Sequence, residues 1–320
     1  KWGGVSIIDN CNNLTEIYTP RKKHEGSIRR RKIISNTAIY IILVLISFIW
    51  LIPFVCILIQ SLNVDWYYAA LASGATPPKG GGIIGYLIPA HWGFNNYINL
   101  FTQTHFLKWY LNTFIIAAIT AVIQTIMVLT MSYTLSRLRF KGRKFLMNFM
   151  LILGMFPGFL TMIVLYFLLK QFGFTQEGSM WGLILVYTAS SGMGYYVSKG
   201  FFDTIPKSLD EAARIDGANR LQVMIKVILP LSKPIIIYTV LTAFMGPWGD
   251  FMFARYICFG YDQAYNVALG LQLFLTQDQI GTSYTLFCAA GVIVAIPITI
   301  LFMFLQRYYV EGVTGGAVKG

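Results

Sequence analysis

The chain has 320 residues, 56% of them hydrophobic and only 12% charged, and a mean hydropathy of +0.61. Soluble domains carry about 25% charged residues, so half that share points away from a water-surrounded globule and toward a lipid-embedded chain. The net charge of +12 is concentrated in a few segments between apolar runs, which argues against nucleic acid as a partner.

Residues 1–32 form a polar tail ending in Arg29-Arg30-Arg31-Lys32, a basic stop against an anionic lipid surface. Six apolar runs follow, at roughly 33–62, 109–136, 145–169, 179–198, 235–254 and 284–306. About 20 apolar residues cross a hydrocarbon core, and in lipid the backbone must satisfy its own hydrogen bonds, so each run is expected to be a helix. The expected fold is an all-α polytopic membrane protein with six transmembrane helices in one membrane domain, residues 33–308. All Lys and Arg except Lys79, Lys108, Lys170 and Arg255 then fall on one side. By the positive-inside rule that side is cytoplasmic and holds both termini. The first run is too long for a signal peptide, and Ala70-Leu71-Ala72 lies too far downstream to be its cleavage site. Cys11, Cys56, Cys258 and Cys288 show no paired or metal-ligating spacing.

Between the first two runs, residues 63–108 form an external loop. Its Thr76-Pro77-Pro78-Lys79-Gly80-Gly81-Gly82 stretch lacks the phosphate-loop pattern. Residues 137–144 form a short basic turn. The third run contains Gly154-Met155-Phe156-Pro157-Gly158, readable as a packing kink or as a bend shaping a central pathway.

Residues 199–234 are a polar, glycine-broken island between spans. Ser208 and Glu211 fit a capping box, Gly217 suits a left-handed helix end, and a second helix from about Asn219 is expected to stop at Pro230. Glu211 either caps its own helix or meets a soluble partner. Capping alone does not explain why a helix–glycine–helix lies between two spans.

The fifth run holds Asp250, the one charged residue in the six spans, beside Trp248 and Phe251 and among Gly246, Pro247 and Gly249. Aromatic faces beside a carboxylate suit a sugar pathway. The alternative is a helix-end carboxylate paired with Arg255 or wetted at the interface. Ion-coupled transporters use buried ionisable groups, and their scarcity here favours an external energy source. No convergent polar set suggests a membrane-embedded enzyme.

Glu211-Ala212-Ala213, Asp216-Gly217-Ala218 and Ile228-Leu229-Pro230 with Pro234 together resemble the EAA loop of binding-protein-dependent ATP-binding-cassette (ABC) importers. Leu111-Asn112-Thr113, Ser136 to Arg143, Gly246-Pro247-Trp248-Gly249-Asp250-Phe251 and Gly312 to Gly320 resemble the carbohydrate branch, so residues 109–320 are similar to the shorter, maltose-type permease subunit. The resemblance implies a type I importer permease core in a prokaryotic cell membrane, non-catalytic, importing oligosaccharides of malto-oligosaccharide type. The alternatives are a galacto-, arabino- or uronate-oligosaccharide, or, in another class, an ion-coupled secondary sugar transporter. It further implies a second permease subunit, two ATPase subunits that bind ATP and Mg, and an extracytoplasmic solute-binding protein facing residues 258–283. No cofactor is implied on this chain. By position, Glu211, Ala212, Ala213, Asp216 and Gly217 would contact the ATPase, and the C-terminal tail, 309–320, would reach it too. Trp248, Asp250 and Phe251 are the pathway candidates. One departure is Val223-Met224 where the family often has an aromatic residue.

Overall fold

The computed structural model describes residues 22–64, 89, 91–190, 192–276 and 280–317. The tail up to residue 21, the 76–82 stretch, Asp278 and the last three residues lie outside the described residues. The regular elements among the described residues are helices, with one isolated antiparallel bridge between Asn63 and Trp92.

The first helix, α1, spans Lys22–Ser61. After it come α2 (Asn95–Gln103), α3 (Phe106–Arg137), α4 (Arg143–Gly154) and α5 (Gly158–Gln171). Then follow α6 (Ser179–Ala189), α7 (Gly192–Thr204), α8 (Lys207–Ile215) and α9 (Arg220–Val223). The chain ends with α10 (Lys233–Gly249), α11 (Met252–Ile257), α12 (Val267–Leu273) and α13 (Ile280–Ala317).

Among the described residues three helices are long and apolar enough to cross a membrane: α1 from Lys32, α3, and α13 between Ser283 and Gln306. A fourth candidate is α10 together with the 220–231 segment, bent by 85°. The other expected runs are broken. Residues 145–169 divide at Met155–Pro157, where Pro157 opens α5 and has no N–H to continue α4. Residues 179–198 divide between α6 and α7, and the fifth run ends its helix at Gly249 rather than reaching Ala254. Apolar composition reports burial in lipid or protein, and it is blind to these backbone breaks. At the other end α13 stays helical to Ala317, past the expected span end at 306. Loss of apolarity marks a change of solvent there, and no proline interrupts the helix between 307 and 317.

α3 is the central post. Ile116 belongs to a core cluster with Leu169, Leu183 and Ile257, while Trp109 and Ala117 pack in a second with Trp248, Val267 and Ala289. Leu129 and Tyr133 pack in a third with Phe202, Val223 and Ile228. The second cluster depends on a close approach: a Cβ at Gly270 would lie 2.0 Å from the Trp109 ring. Polar pins fix the start of α3. Asn112 Nδ2 donates to the carbonyls of Gln263 and Tyr265, Trp109 Nε1 donates to that of Asp262, and Val267 N–H donates to Thr113 Oγ1.

Candidate functional site

The polar island builds its first helix differently from the expected pattern. Pro206, at φ −57°, is the N-cap, so α8 starts at Lys207 and Ser208 falls inside the first turn without a capping bond. Proline presets the helical φ and needs no partner for an N–H, which moves the start forward. The capping box belongs to α9 instead. Asn219 Oδ1 accepts from Gln222 N–H, and Gln222 Oε1 accepts from Asn219 N–H. Pro230 does not stop this helix either. A π turn over Met224–Ile228, in which Leu229 N–H reaches the Met224 carbonyl, precedes Leu229–Leu231, and the break comes at Ser232. The wider turn accommodates a proline that lacks a donor for the normal ladder.

Gly217 ends α8 as expected, at φ +87°. Gly217 N–H donates to the Arg214 carbonyl and Ala218 N–H to that of Ala213, the paired bonds of a Schellman cap. Glu211, Ala212, Asp216 and Gly217 are exposed, whereas Ala213 is half-buried against the third core cluster. The structure therefore divides the expected contact set into an outward face and an inward packing residue. It adds Ile215, 86% exposed, to the outward face. An exposed isoleucine between two charged residues is visible in the sequence, but its side of the helix is not.

This element is tied to the end of α3. Arg137 Nε lies 3.1 Å from Asp210 Oδ2, with side chains only 3% and 15% exposed, and Arg137 Nη2 donates to the Ile205 carbonyl. Ser136 Oγ donates to Asp203 Oδ1 at 2.6 Å, and Lys199 Nζ to Asp203 Oδ2 at 2.5 Å. Tyr133 OH donates to the Arg220 carbonyl. Burial pushes the Asp203 carboxyl up, but hydrogen bonds from Lys199 and Ser136, with the charges of Lys199 and Arg143, bring it net below its ordinary value. For Asp210 burial wins over Arg137 and the carboxyl is held above its usual range. Sequence reasoning missed Arg137 and Asp210 as a pair, because their meeting depends on how α7 returns the chain to α3.

The second expected site lies at the break after α10. Asp250 Oδ2 accepts from Tyr187 OH at 2.7 Å, and Asp250 Oδ1 accepts from Phe253 N–H at 3.1 Å. Asn266 Nδ2 donates to the carbonyls of Pro247 and Asp250, while its Oδ1 accepts from Leu269 N–H. One buried asparagine thus satisfies carbonyls that a helix end leaves without partners. Arg255 pairs with Gln272, not with Asp250. Trp248 is 4% exposed in the second core cluster, with Tyr110 edge-on to it, and Phe251 is half-buried.

A separate cavity of about 760 Å³ opens where α4 breaks. Thr130, Thr134, Thr161, Ser190 and Tyr195 line it together with methionines and Gly154. It offers hydroxyl donors and acceptors on an apolar wall without a charged group.

The profile described as "Binding-protein-dependent transport system inner membrane component" matches residues 129–315. The chain is 37% identical over 230 residues to the maltodextrin transport system permease protein MdxG of Bacillus subtilis, covering 72% of this chain and 81% of that one. It is also 37% identical over 238 residues to the galactooligosaccharides transport system permease protein GanQ of Bacillus subtilis, covering 73% and 83%. In fold it matches a chain from the crystal structure of a bacterial ABC transporter involved in the import of the acidic polysaccharide alginate. The TM-score there is 0.71 at 22% identity, over 88% of this chain and 98% of that one. With more than half of its length inside the profile and such identity to permeases along most of theirs, the chain belongs to the family of inner membrane components of binding-protein-dependent transport systems.

Proposed function

We propose that the chain is the shorter permease subunit of an ATP-driven oligosaccharide importer, and that α8 is the element through which an ATPase moves it. The observation that carries this reading is the outward face Glu211, Ala212, Ile215, Asp216 and Gly217, set on a helix anchored through Asp210 to the end of a spanning helix. An exposed charge beside an exposed isoleucine and a small alanine suits a protein contact. The buried pair beneath suits transmission of force into α3.

In this reading six spans cross the membrane with both termini cytoplasmic, broken runs included. Domain bounds follow the sequence: a tail to residue 32, the permease domain 33–308 and a tail from 309. A second permease completes the pathway, two ATPases carrying ATP and Mg bind below, and a solute-binding protein docks near residues 258–283. The relatives' names support an oligosaccharide as cargo, and equal identity to maltodextrin and galactooligosaccharide permeases leaves both classes as substrates to assay. The hydroxyl-lined cavity at the α4 break forms part of the sugar route. Trp248, Asp250 and Phe251 shape that route by holding the break after α10.

The test is Glu211→Lys in the assembled transporter. We expect the complex to insert and assemble while substrate-stimulated ATP hydrolysis is lost. Wild-type stimulation in this variant would refute the coupling role.

A further inference from the structure

At the junction of α8, α9 and the turn from α3 to α4 lies a cavity of about 430 Å³. Arg137, Arg139, Arg143, Lys207, Arg214 and Arg220 all line it, against the carboxylates of Asp210 and Glu211. Arg137, Arg139 and Arg143 belong to the basic segment 137–144, and the fold brings Lys207 and Arg214 of α8 and Arg220 of α9 to the same cavity. Like charges converging on one pocket repel unless something of opposite sign joins them.

The second observation is Arg137 itself. Its side chain is 3% exposed, its Nε lies 3.1 Å from Asp210 Oδ2 and its Nη2 is bound to the Ile205 carbonyl, yet neither Nε nor Nη1, both buried, makes a hydrogen bond. A buried guanidinium donor without an acceptor is costly, and charge-assisted bonds to oxyanions are among the strongest a protein makes. Asp210 does not form a matched fork with it: the two groups approach only through Nε and Oδ2, and Oδ1 is likewise buried without a partner. Only one of the three guanidinium nitrogens of Arg137 is thus hydrogen-bonded, in a residue that lines the cationic cavity.

We propose that this cavity binds a phosphate group held by Arg139, Arg143 and Arg220, with the buried guanidinium of Arg137 adding positive charge beneath it. Arginine is the side chain best suited to planar, bidentate contact with phosphate oxygens. A water occupies roughly 30 Å³, so the volume accommodates a phosphate with its ester substituent and remaining hydration. Arg137 is the last residue of α3, a helix able to cross a membrane, so the cavity sits at headgroup depth when α3 spans. The phosphate comes from an anionic phospholipid headgroup or from a soluble phosphate compound. The proposal does not depend on Glu211 contacting an ATPase.

The experiment uses the full chain purified in a non-ionic detergent, titrated at constant ionic strength and followed by calorimetry. The probes are inorganic phosphate, dioctanoyl phosphatidylglycerol and dioctanoyl phosphatidylcholine. We expect saturable binding of inorganic phosphate or of the phosphatidylglycerol, weakened tenfold or more in Arg139→Gln/Arg143→Gln and unchanged in Lys170→Gln. Binding of inorganic phosphate identifies a soluble source, and binding of phosphatidylglycerol alone identifies the headgroup. Arg220→Gln repeats the test from another helix, since Tyr133 meets the Arg220 carbonyl and not its side chain. The proposal is overturned if neither phosphate probe saturates, if phosphatidylcholine binds as tightly as phosphatidylglycerol, or if folded variants bind like the wild type.

Discussion

Arg137 and Asp210 meet with Nε 3.1 Å from Oδ2, joining the last residue of the central helix to the helix of the proposed coupling loop. The pair is nearly closed to solvent, so its net worth is small while the cost of breaking it is large. Removing one partner leaves an uncompensated buried charge, at about 3–5 kcal/mol. Asp210→Ala should therefore lower unfolding stability by about 3 kcal/mol in detergent, close to the lower figure because Asp210 is 15% exposed. Arg137→Met/Asp210→Leu should recover most of that loss. A double variant as unstable as Asp210→Ala would show that the ion pair itself, and not the orphaned charge, carries the stability.

Asp203 and Asp210, bound to neighbouring residues of α3, should respond to pH in opposite directions. The native Asp203 carboxyl is shifted below its ordinary 3.8, so its contribution is present above that value and is lost as pH falls through the native pKa. The native Asp210 carboxyl is shifted above 3.8, so its contribution is full below that value and is lost as pH rises through the native pKa. The stability difference between wild type and Asp210→Asn should fall with rising pH above 3.8, while that for Asp203→Asn should grow with pH around and below it. Melting temperatures measured across that range check both slopes, and slopes of the same sign would contradict the assignment.

Gly217 adopts a backbone conformation that costs a side-chain-bearing residue about 1–2 kcal/mol. A Cβ there meets nothing within 4 Å, so the whole cost is backbone strain rather than collision. Gly217→Ala should loosen the end of α8 and raise hydrogen exchange at Gly217 and Ala218 by roughly 5- to 30-fold. Gly217→Asn should recover part of the loss, because asparagine tolerates this region better. Equal exchange in all three proteins would mean that the turn is held by packing and not by its conformation.

The helical class and the polar island were legible because both are written in local composition: long apolar runs, then a charged stretch with one glycine. Gly217 was legible for the same reason, since a helix end needs only its own few residues. The breaks at Gly154–Pro157 and Asp250 were less so. Pro157 and Pro247 signalled interruption, but how far a helix breaks depends on distant partners, here Asn266 for the carbonyls of Pro247 and Asp250. Arg137 lies in the Ser136 to Arg143 motif and Asp210 stands beside Glu211, yet nothing in the sequence pairs residues 73 positions apart. The fold decides that by bringing α7 back along α3.

Asp250 offers the sharpest test between holding a helix break and touching cargo. Its two carboxylate oxygens are engaged by Tyr187 OH and Phe253 N–H, which makes it a capping residue for α11 and a lock between α6 and the break. Asparagine at this position keeps an acceptor for Phe253 N–H, and its amide can donate to the Tyr187 oxygen. Asp250→Asn should therefore fold nearly as stably as the wild type. Asp250→Ala loses both bonds, each worth about 1.5–3 kcal/mol when one partner is charged, and should melt at lower temperature. In reconstituted uptake, Asp250→Asn should leave the KM for oligosaccharide unchanged if the carboxylate only holds the break. A KM raised tenfold in a protein of normal melting temperature would instead put the charge in direct contact with the sugar. The hydroxyl-lined cavity predicts the complement: Thr130→Val, which removes one hydroxyl without changing shape, should raise that KM while leaving the melting temperature in place.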